Sequence, residues 1–127
     1  MDVNTHERID RTLCGTPLDL SEGRSRVRLE TLACMAVDDR GLVHGGFVFG
    51  LADYAAMLAV NDPNVVLGAA EVRFVKPVRL GQTMTAEAAV EEEKGRKRQV
   101  AVRVLAGEEP VFEGRFTCFV LDRHVLD

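Results

Sequence analysis

The stretch from Phe47 to Val60 constrains the fold more than any other part of the chain. Phe47, Val48, Phe49, Leu51 and Ala52 are apolar, and Ala55 to Val60 are apolar without interruption. Gly45-Gly46 precede the stretch and Asn61-Asp62-Pro63-Asn64 end it. Its length and its alanines favour a helix. A helix that is apolar on every face has to be covered on every face. It falls short of the ~20 residues that a bilayer crossing needs. A layer of protein must therefore wrap around it.

The rest of the chain can supply that layer. Between Arg24 and Thr31, Val27 and Leu29 alternate with Arg26, Arg28 and Glu30, the period of a half-buried strand. Leu32 to Val37 reads as an extension or restart of that strand, ended by the turn cluster Asp38-Asp39-Arg40-Gly41. Four more strands are expected at 65–75, 83–91, 98–105 and 111–121. Pro77 and Gly81, Lys94-Gly95, and Gly107-Glu108-Glu109-Pro110 separate them. Met1 to Gly15 holds a short helix at most, with Ile9 and Leu13 on one side, and Pro17 breaks it. One helix followed by a run of hairpin strands predicts an α+β protein. The expectation is one antiparallel sheet wrapped around one long central helix. Residues 1–127 form a single domain, with 1–23 as a lead-in segment.

Composition narrows the function. The 127 residues carry 16 Lys+Arg against 20 Asp+Glu, a net charge of −4, which draws in no nucleic acid by bulk electrostatics. Cys14, Cys34 and Cys118 stand far apart with no C-x-x-C, and only His6, His44 and His124 could join them. A zinc site is not expected from that spacing, and the cysteines read as small buried apolar residues. Met1 to Arg11 is too polar for a secretory signal, so no membrane attachment and a cytoplasmic home are expected.

Two features do not serve packing. Asp53 sits in the apolar helix with no Lys or Arg within four residues. An unpaired carboxylate removed from water costs several kcal/mol. Asp53 therefore either reaches solvent or a partner's surface, or points into a ligand cleft. At the helix start, His44-Gly45-Gly46 leaves first-turn N–H groups open at the positive end of the dipole. That is a flexible helix entry or an oxyanion-binding point. Gly45 and Asp53 are separated by ~12 Å of helix rise, too far to reach one carbonyl from one helix. Two antiparallel copies of the helix could bring Gly45 of one chain to Asp53 of the other, in a two-fold dimer with two equal sites.

These residues resemble a known family. Val43-His44-Gly45-Gly46 with Leu51-Ala52-Asp53 and Ala55, followed by Arg73-Phe74-Val75-Lys76-Pro77, Gly81 and Thr83 to Ala88, is similar to hotdog-fold acyl-CoA thioesterases of the PaaI type, in the 4-hydroxybenzoyl-CoA thioesterase-like superfamily. The resemblance covers roughly residues 24 to 121. It implies hydrolysis of an acyl-CoA thioester, with CoA as part of the substrate and no other cofactor. Gly45 would polarise the thioester carbonyl through its N–H. Asp53 of the facing subunit would be nucleophile or general base. His44 would shape the loop and hydrogen-bond near the carbonyl, and Gly46 beside it would bind the substrate. Arg73, Lys76 and Arg79, and the basic hairpin tip at 94–98, would meet the phosphates of CoA, with Phe74 along its arm. The family often has Asn, orienting water or substrate, where this chain has Asp38 as a substrate-binding candidate, and a Ser or Thr, as a partner for water, near the position of Leu67. A homodimer, or a tetramer of two dimers, is implied.

The stretch from Val65 to Thr117, with Gly114-Arg115-Phe116, also resembles the effector domain of the FapR repressors, which sense an acyl-CoA without cleaving it. A non-catalytic acyl-CoA-binding module is thus the alternative. Hotdog dehydratases use D-x-x-x-x-H, and the fifth residue after Asp53 is Leu58, so that chemistry is not expected.

Overall fold

The computed structural model describes residues 1–127. A short helix α1 (Arg11–Cys14) leads into strands β1 (Thr16–Ser21) and β2 (Arg24–Glu30). A single 3-10 turn (Ala33–Met35) precedes the long helix α2 (Gly45–Val60). Four strands follow: β3 (Val65–Phe74), β4 (Thr83–Lys94), β5 (Lys97–Ala106) and β6 (Glu109–Val120). They form one six-stranded sheet in the order β1-β2-β4-β5-β6-β3, antiparallel throughout. The expected α+β arrangement, a sheet curved around one central helix, is the one observed. No helix is long and apolar enough to cross a membrane.

The strand periodicity sets which side meets the helix. Ser25, Val27 and Leu29 of β2, Met84, Ala86 and Ala88 of β4, and Val100, Val102 and Val104 of β5 all turn inward and are buried. Phe112 and Phe116 of β6 join them in one core with α2. The Ser25 hydroxyl donates to the Ala55 carbonyl at 2.6 Å, tying β2 to the middle of the helix. Gly15 closes the turn between α1 and β1 at φ 116°, where a Cβ would lie 2.6 Å from Val27 Cγ1 and 2.9 Å from Leu51 Cδ1. Only a glycine fits there, for both backbone and packing reasons.

Three expectations are corrected. Thr16–Ser21 is a strand despite Pro17, because β1 is a sheet edge, where a missing N–H breaks no inner ladder. Leu32 to Val37 does not continue β2: Met35 folds back into the core through the 3-10 turn. The cysteines are not uniformly buried, since Cys118 is buried, Cys14 half-buried and Cys34 exposed on that turn.

A fourth correction concerns α2. It is buried at Val48, Leu51, Ala52 and from Tyr54 to Ala59, but Gly46, Phe49, Gly50, Asp53 and Val60 are not fully covered. Gly45 and Phe47 of the first turn are also only partly covered, and Gly46, Phe49, Gly50 and Asp53, spaced by three and four residues, lie along one stripe. The sheet of one chain covers the helix on the remaining sides. The neighbouring sheet edge, β3, is ten residues long, and its outer side pairs with nothing.

The outer face of the sheet carries a charge row with one residue per strand. Asp19, Arg26, Glu87, Arg103, Glu113 and Arg73 are successive register partners from β1 to β3. Four ion pairs join them, from 2.7 Å (Arg103 to Glu87) to 3.8 Å (Arg26 to Glu87). Such exposed pairs stabilise by ~0–1 kcal/mol each, but their alternation opposes register slip.

Candidate active site

The helix start is built from a loop held by backbone bonds. His44 donates its backbone N–H to the Met35 carbonyl at 2.9 Å, and Val43 donates to Val78 at 2.9 Å. His44 is the N-cap, in extended conformation (φ −62°, ψ 132°), and offers no side-chain cap. Phe47 N–H turns back to the His44 carbonyl at 3.0 Å, while the N–H groups of Gly45 and Gly46 take no partner from the chain. No acidic side chain lies in this first turn. Open donors at the positive end of a sixteen-residue helix suit a developing oxyanion.

Both glycines are crowded. A Cβ on Gly45 would sit 3.1 Å from Phe74 Cε1, and one on Gly46 would sit 2.9 Å from the His44 ring. Phe74 is held edge-on against Phe112 at 5.2 Å between centroids, yet remains 54% exposed. The His44 ring stands edge-on to Phe47. So His44, Gly45, Gly46 and Phe74 form one cluster, although 28 positions of the numbering separate Gly46 from Phe74.

Asp53 lies elsewhere, two turns along the same helix. Its Oδ1 is buried and has no hydrogen-bond partner. Burial pushes its carboxyl up from 3.8 to about 6. Burial first, and the Asp53 charge second, push the Cys118 thiol up to about 12. Cys14 is raised by burial, then by Asp10 and Asp53. Raised thiols remain protonated and are poor nucleophiles.

Asp53 faces a cavity of about 400 Å³ whose wall includes Met57 and Leu67 together with Thr5, His6 and His124. The last three were not anticipated. They lie outside the stretch that carries the resemblance, and no spacing in the sequence ties them to Asp53. His124 comes from the segment after β6, whereas Thr5 and His6 arrive because Asn61, in a left-handed conformation at the helix end, holds the leading segment. Its Oδ1 accepts Asn4 N–H and its Nδ2 donates to the Asp2 carbonyl, both at 2.8 Å. Thr5 Oγ1 and His6 Nδ1 are hydrogen-bonded at 2.8 Å, and burial lowers the His6 pKa. Leu67, near the position where the family often has Ser or Thr, sits on the cavity wall and is apolar.

The remaining expected residues are dispersed. Asp38 Oδ1 accepts Arg40 N–H at 2.9 Å and Leu42 N–H at 3.2 Å, closing its own exposed loop. Arg73 pairs with Glu113 in the charge row, on the sheet face away from the helix. Lys76 pairs with Glu109. Arg79 is exposed, with its backbone N–H donated to Gln82 Oε1 at 2.8 Å. At the β4–β5 tip, Arg96 pairs with Asp122 and Arg98 with Glu93. No group of three His, Cys, Asp or Glu is placed to hold a metal ion.

Residues 40–113 match the sequence pattern of the thioesterase superfamily. The chain belongs to this superfamily. Its fold is the hotdog fold, the sheet being wrapped around α2 as in its structural neighbours. A crystal structure of an uncharacterized protein from Pyrococcus horikoshii is 55% identical, with a TM-score of 0.99 and coverage of 100% of this chain and 98% of that one. A variant of the phenylacetic acid degradation protein PaaI from Thermus thermophilus is 29% identical, with a TM-score of 0.79, over 86% of this chain and 95% of that one. Among curated proteins, a methylthioribose-1-phosphate isomerase of Aquifex aeolicus is 51% identical over 96% of this chain but only 27% of its own length. The transcription factor FapR of Caldanaerobacter subterraneus is 26% identical over 88% of this chain and 56% of its own length. The chain thus spans about a quarter of the first of these two relatives and just over half of the second. The similarity to FapR agrees with the second resemblance in the sequence.

Proposed function

We propose that this superfamily member hydrolyses an acyl-CoA thioester at a site shared by two chains. The observation that carries the reading is Asp53: a buried carboxylate oxygen with no partner, facing a cavity, on the helix whose first N–H groups are open. The thioester carbonyl oxygen accepts the Gly45 N–H of one chain, and Asp53 of the other chain stands opposite. In one route Asp53 takes a proton from water while the water oxygen bonds to the carbonyl carbon. The C–S bond then breaks and the CoA thiolate recovers the proton. In the other route Asp53 attacks the carbon itself, CoA thiolate leaves, and water cleaves the resulting anhydride. Both need one carboxylate and one oxyanion donor.

Two uncovered features support the dimer reading. These are the stripe Gly46, Gly50, Asp53 on α2 and the long unpaired edge of β3. An open edge of that length is a template for another strand. CoA would run outward from Gly45 past Phe74, with Lys76 and Arg79 nearest its phosphates. Arg73 is assigned no part in this, because it belongs to the charge row on the opposite face. The chemistry needs no further cofactor, and the proposal places the protein in the cytoplasm, where acyl-CoA is made and used.

The similarity to FapR favours a second reading, acyl-CoA binding without cleavage. Release of free thiol from a panel of acyl-CoA thioesters separates the two, with Asp53→Ala alongside. Turnover that vanishes in the variant supports the hydrolase. Saturable binding with no turnover supports the sensor.

A further inference from the structure

We infer that the leading segment, residues 2–6, is the end wall of an acyl subsite beside Asp53, and that Asn61, by holding this segment down, limits the protein to acyl chains of medium length. The inference rests on the acyl-CoA reading of the site and names the class of acyl group.

Asp53, Met57 and Asn61 follow one another at intervals of four, along one side of α2 and its C-cap. The cavity that Asp53 faces, about 400 Å³, takes Met57 from the helix, Val65 and Leu67 from β3, and Pro63 from the connection between them. These are apolar walls suited to a hydrocarbon chain. The leading segment closes the cavity with Thr5, which is only 4% exposed. The segment is therefore packed down, with Val3 and Ile9 also against the core. It turns away at His6, where φ is 52° and the carbonyl accepts the Ile9 N–H at 3.2 Å. One side chain fastens it: Asn61 accepts the Asn4 N–H and donates to the Asp2 carbonyl.

A wall in this place sets a length. Asn61 is eight residues beyond Asp53, ~12 Å of helix rise. An extended octanoyl chain that starts at a carbonyl beside Asp53 is shorter than this span, and a palmitoyl chain is longer. The far methylenes of the longer chain must stay in water, where they add nothing to binding, unless the segment lifts.

The test titrates octanoyl-CoA and palmitoyl-CoA, the latter below its micelle-forming concentration, into Asp53→Asn with and without Asn61→Gly. Glycine accepts the left-handed φ of 54° and keeps the N–H that caps Met57, so the added change removes only the two bonds to the segment. In Asp53→Asn, palmitoyl-CoA is expected to bind no more tightly than octanoyl-CoA. With Asn61→Gly added, deuterium exchange at the Asn4 amide should quicken at least ~10-fold as the segment opens. The affinity ratio of palmitoyl to octanoyl should rise about tenfold, the worth of about two newly buried CH₂ groups. Because the ratio is taken within one preparation, loss of folded protein cancels. Unchanged Asn4 exchange, faster exchange with an unchanged ratio, or no binding of octanoyl-CoA to Asp53→Asn would overturn the inference. So would palmitoyl-CoA binding more than ~10-fold tighter while Asn61 is in place. Thiol release by the wild type tests the hydrolase reading separately, so the two can fail independently.

Discussion

The Phe74 ring lies over Gly45 so closely that any Cβ there would approach Cε1 to 3.1 Å. The ring borders the spot where the Gly45 N–H opens to ligand. Gly45 is also the first residue of α2, and His44 before it is already extended. Proline is tolerated at a first helical position, and it wants an extended residue before it. Gly45→Pro therefore deletes one N–H and little else, since the half-exposed Phe74 ring can yield. Thermal unfolding should move by a few degrees at most. Thiol release should fall by about 10²–10³ in kcat/KM, the effect of losing one oxyanion donor. A fall of less than ~3-fold would remove Gly45 from its role.

Asp53 makes folding costlier as pH rises. Its folded pKa of about 6 lies above its ordinary 3.8. Below about pH 4 both states are protonated and there is no penalty. Between the two values the unfolded chain ionises first, and the penalty grows. Above about pH 6 it is complete, at ~2–3 kcal/mol. Asp53→Asn should raise the melting temperature at pH 8 and leave it nearly unchanged at pH 4. Equal shifts at both pH values would mean that the carboxylate is not desolvated.

The same titration should appear in catalysis. Base and nucleophile both require the ionised form. The plot of kcat/KM against pH should climb about tenfold per pH unit below about 6 and level off above it. A rate that is flat from pH 5 to pH 8 would assign the chemistry to another group.

Gly15 tests the packing account far from the chemistry. Alanine there meets Val27 and Leu51 at under 3 Å and is forced into a φ of 116°. Gly15→Ala should destabilise by about 2–4 kcal/mol in urea unfolding, through overpacking and strain together. A loss below ~1 kcal/mol would mean that the α1–β1 turn relaxes freely.

Much of the molecule was legible because its signals are local. Alternation at Val27 and Leu29, and at Val100, Val102 and Val104, marks which side of each strand meets the core. The Ala-rich run marks the helix. Asp53 stood out because a lone carboxylate conflicts with everything around it. Pro17 hid β1, since a residue that breaks an inner strand is harmless at an edge, and edge position is a property of the whole sheet. The bond from Asn61 to the leading segment is equally non-local. Together with the approach of the His6 ring to Tyr54, at 6.4 Å between centroids, it brings Thr5 and His6 near Asp53. The ion pair of Arg73 is non-local for a related reason: strand parity puts it in the charge row, and only the register to Glu113 reveals that.

The central claim is that Gly45 and Asp53 act on one carbonyl from two different chains. Gly45→Pro and Asp53→Ala should each be nearly inactive alone. Unfolding and refolding them together at equal amounts gives mixed dimers that retain one intact site, with Gly45 from one chain and Asp53 from the other. Thiol release should then recover to about a quarter of wild type, the statistical share of such sites in a two-fold dimer. Mixed dimers that form, as seen by native mass spectrometry, but stay as inactive as either parent would contradict the account.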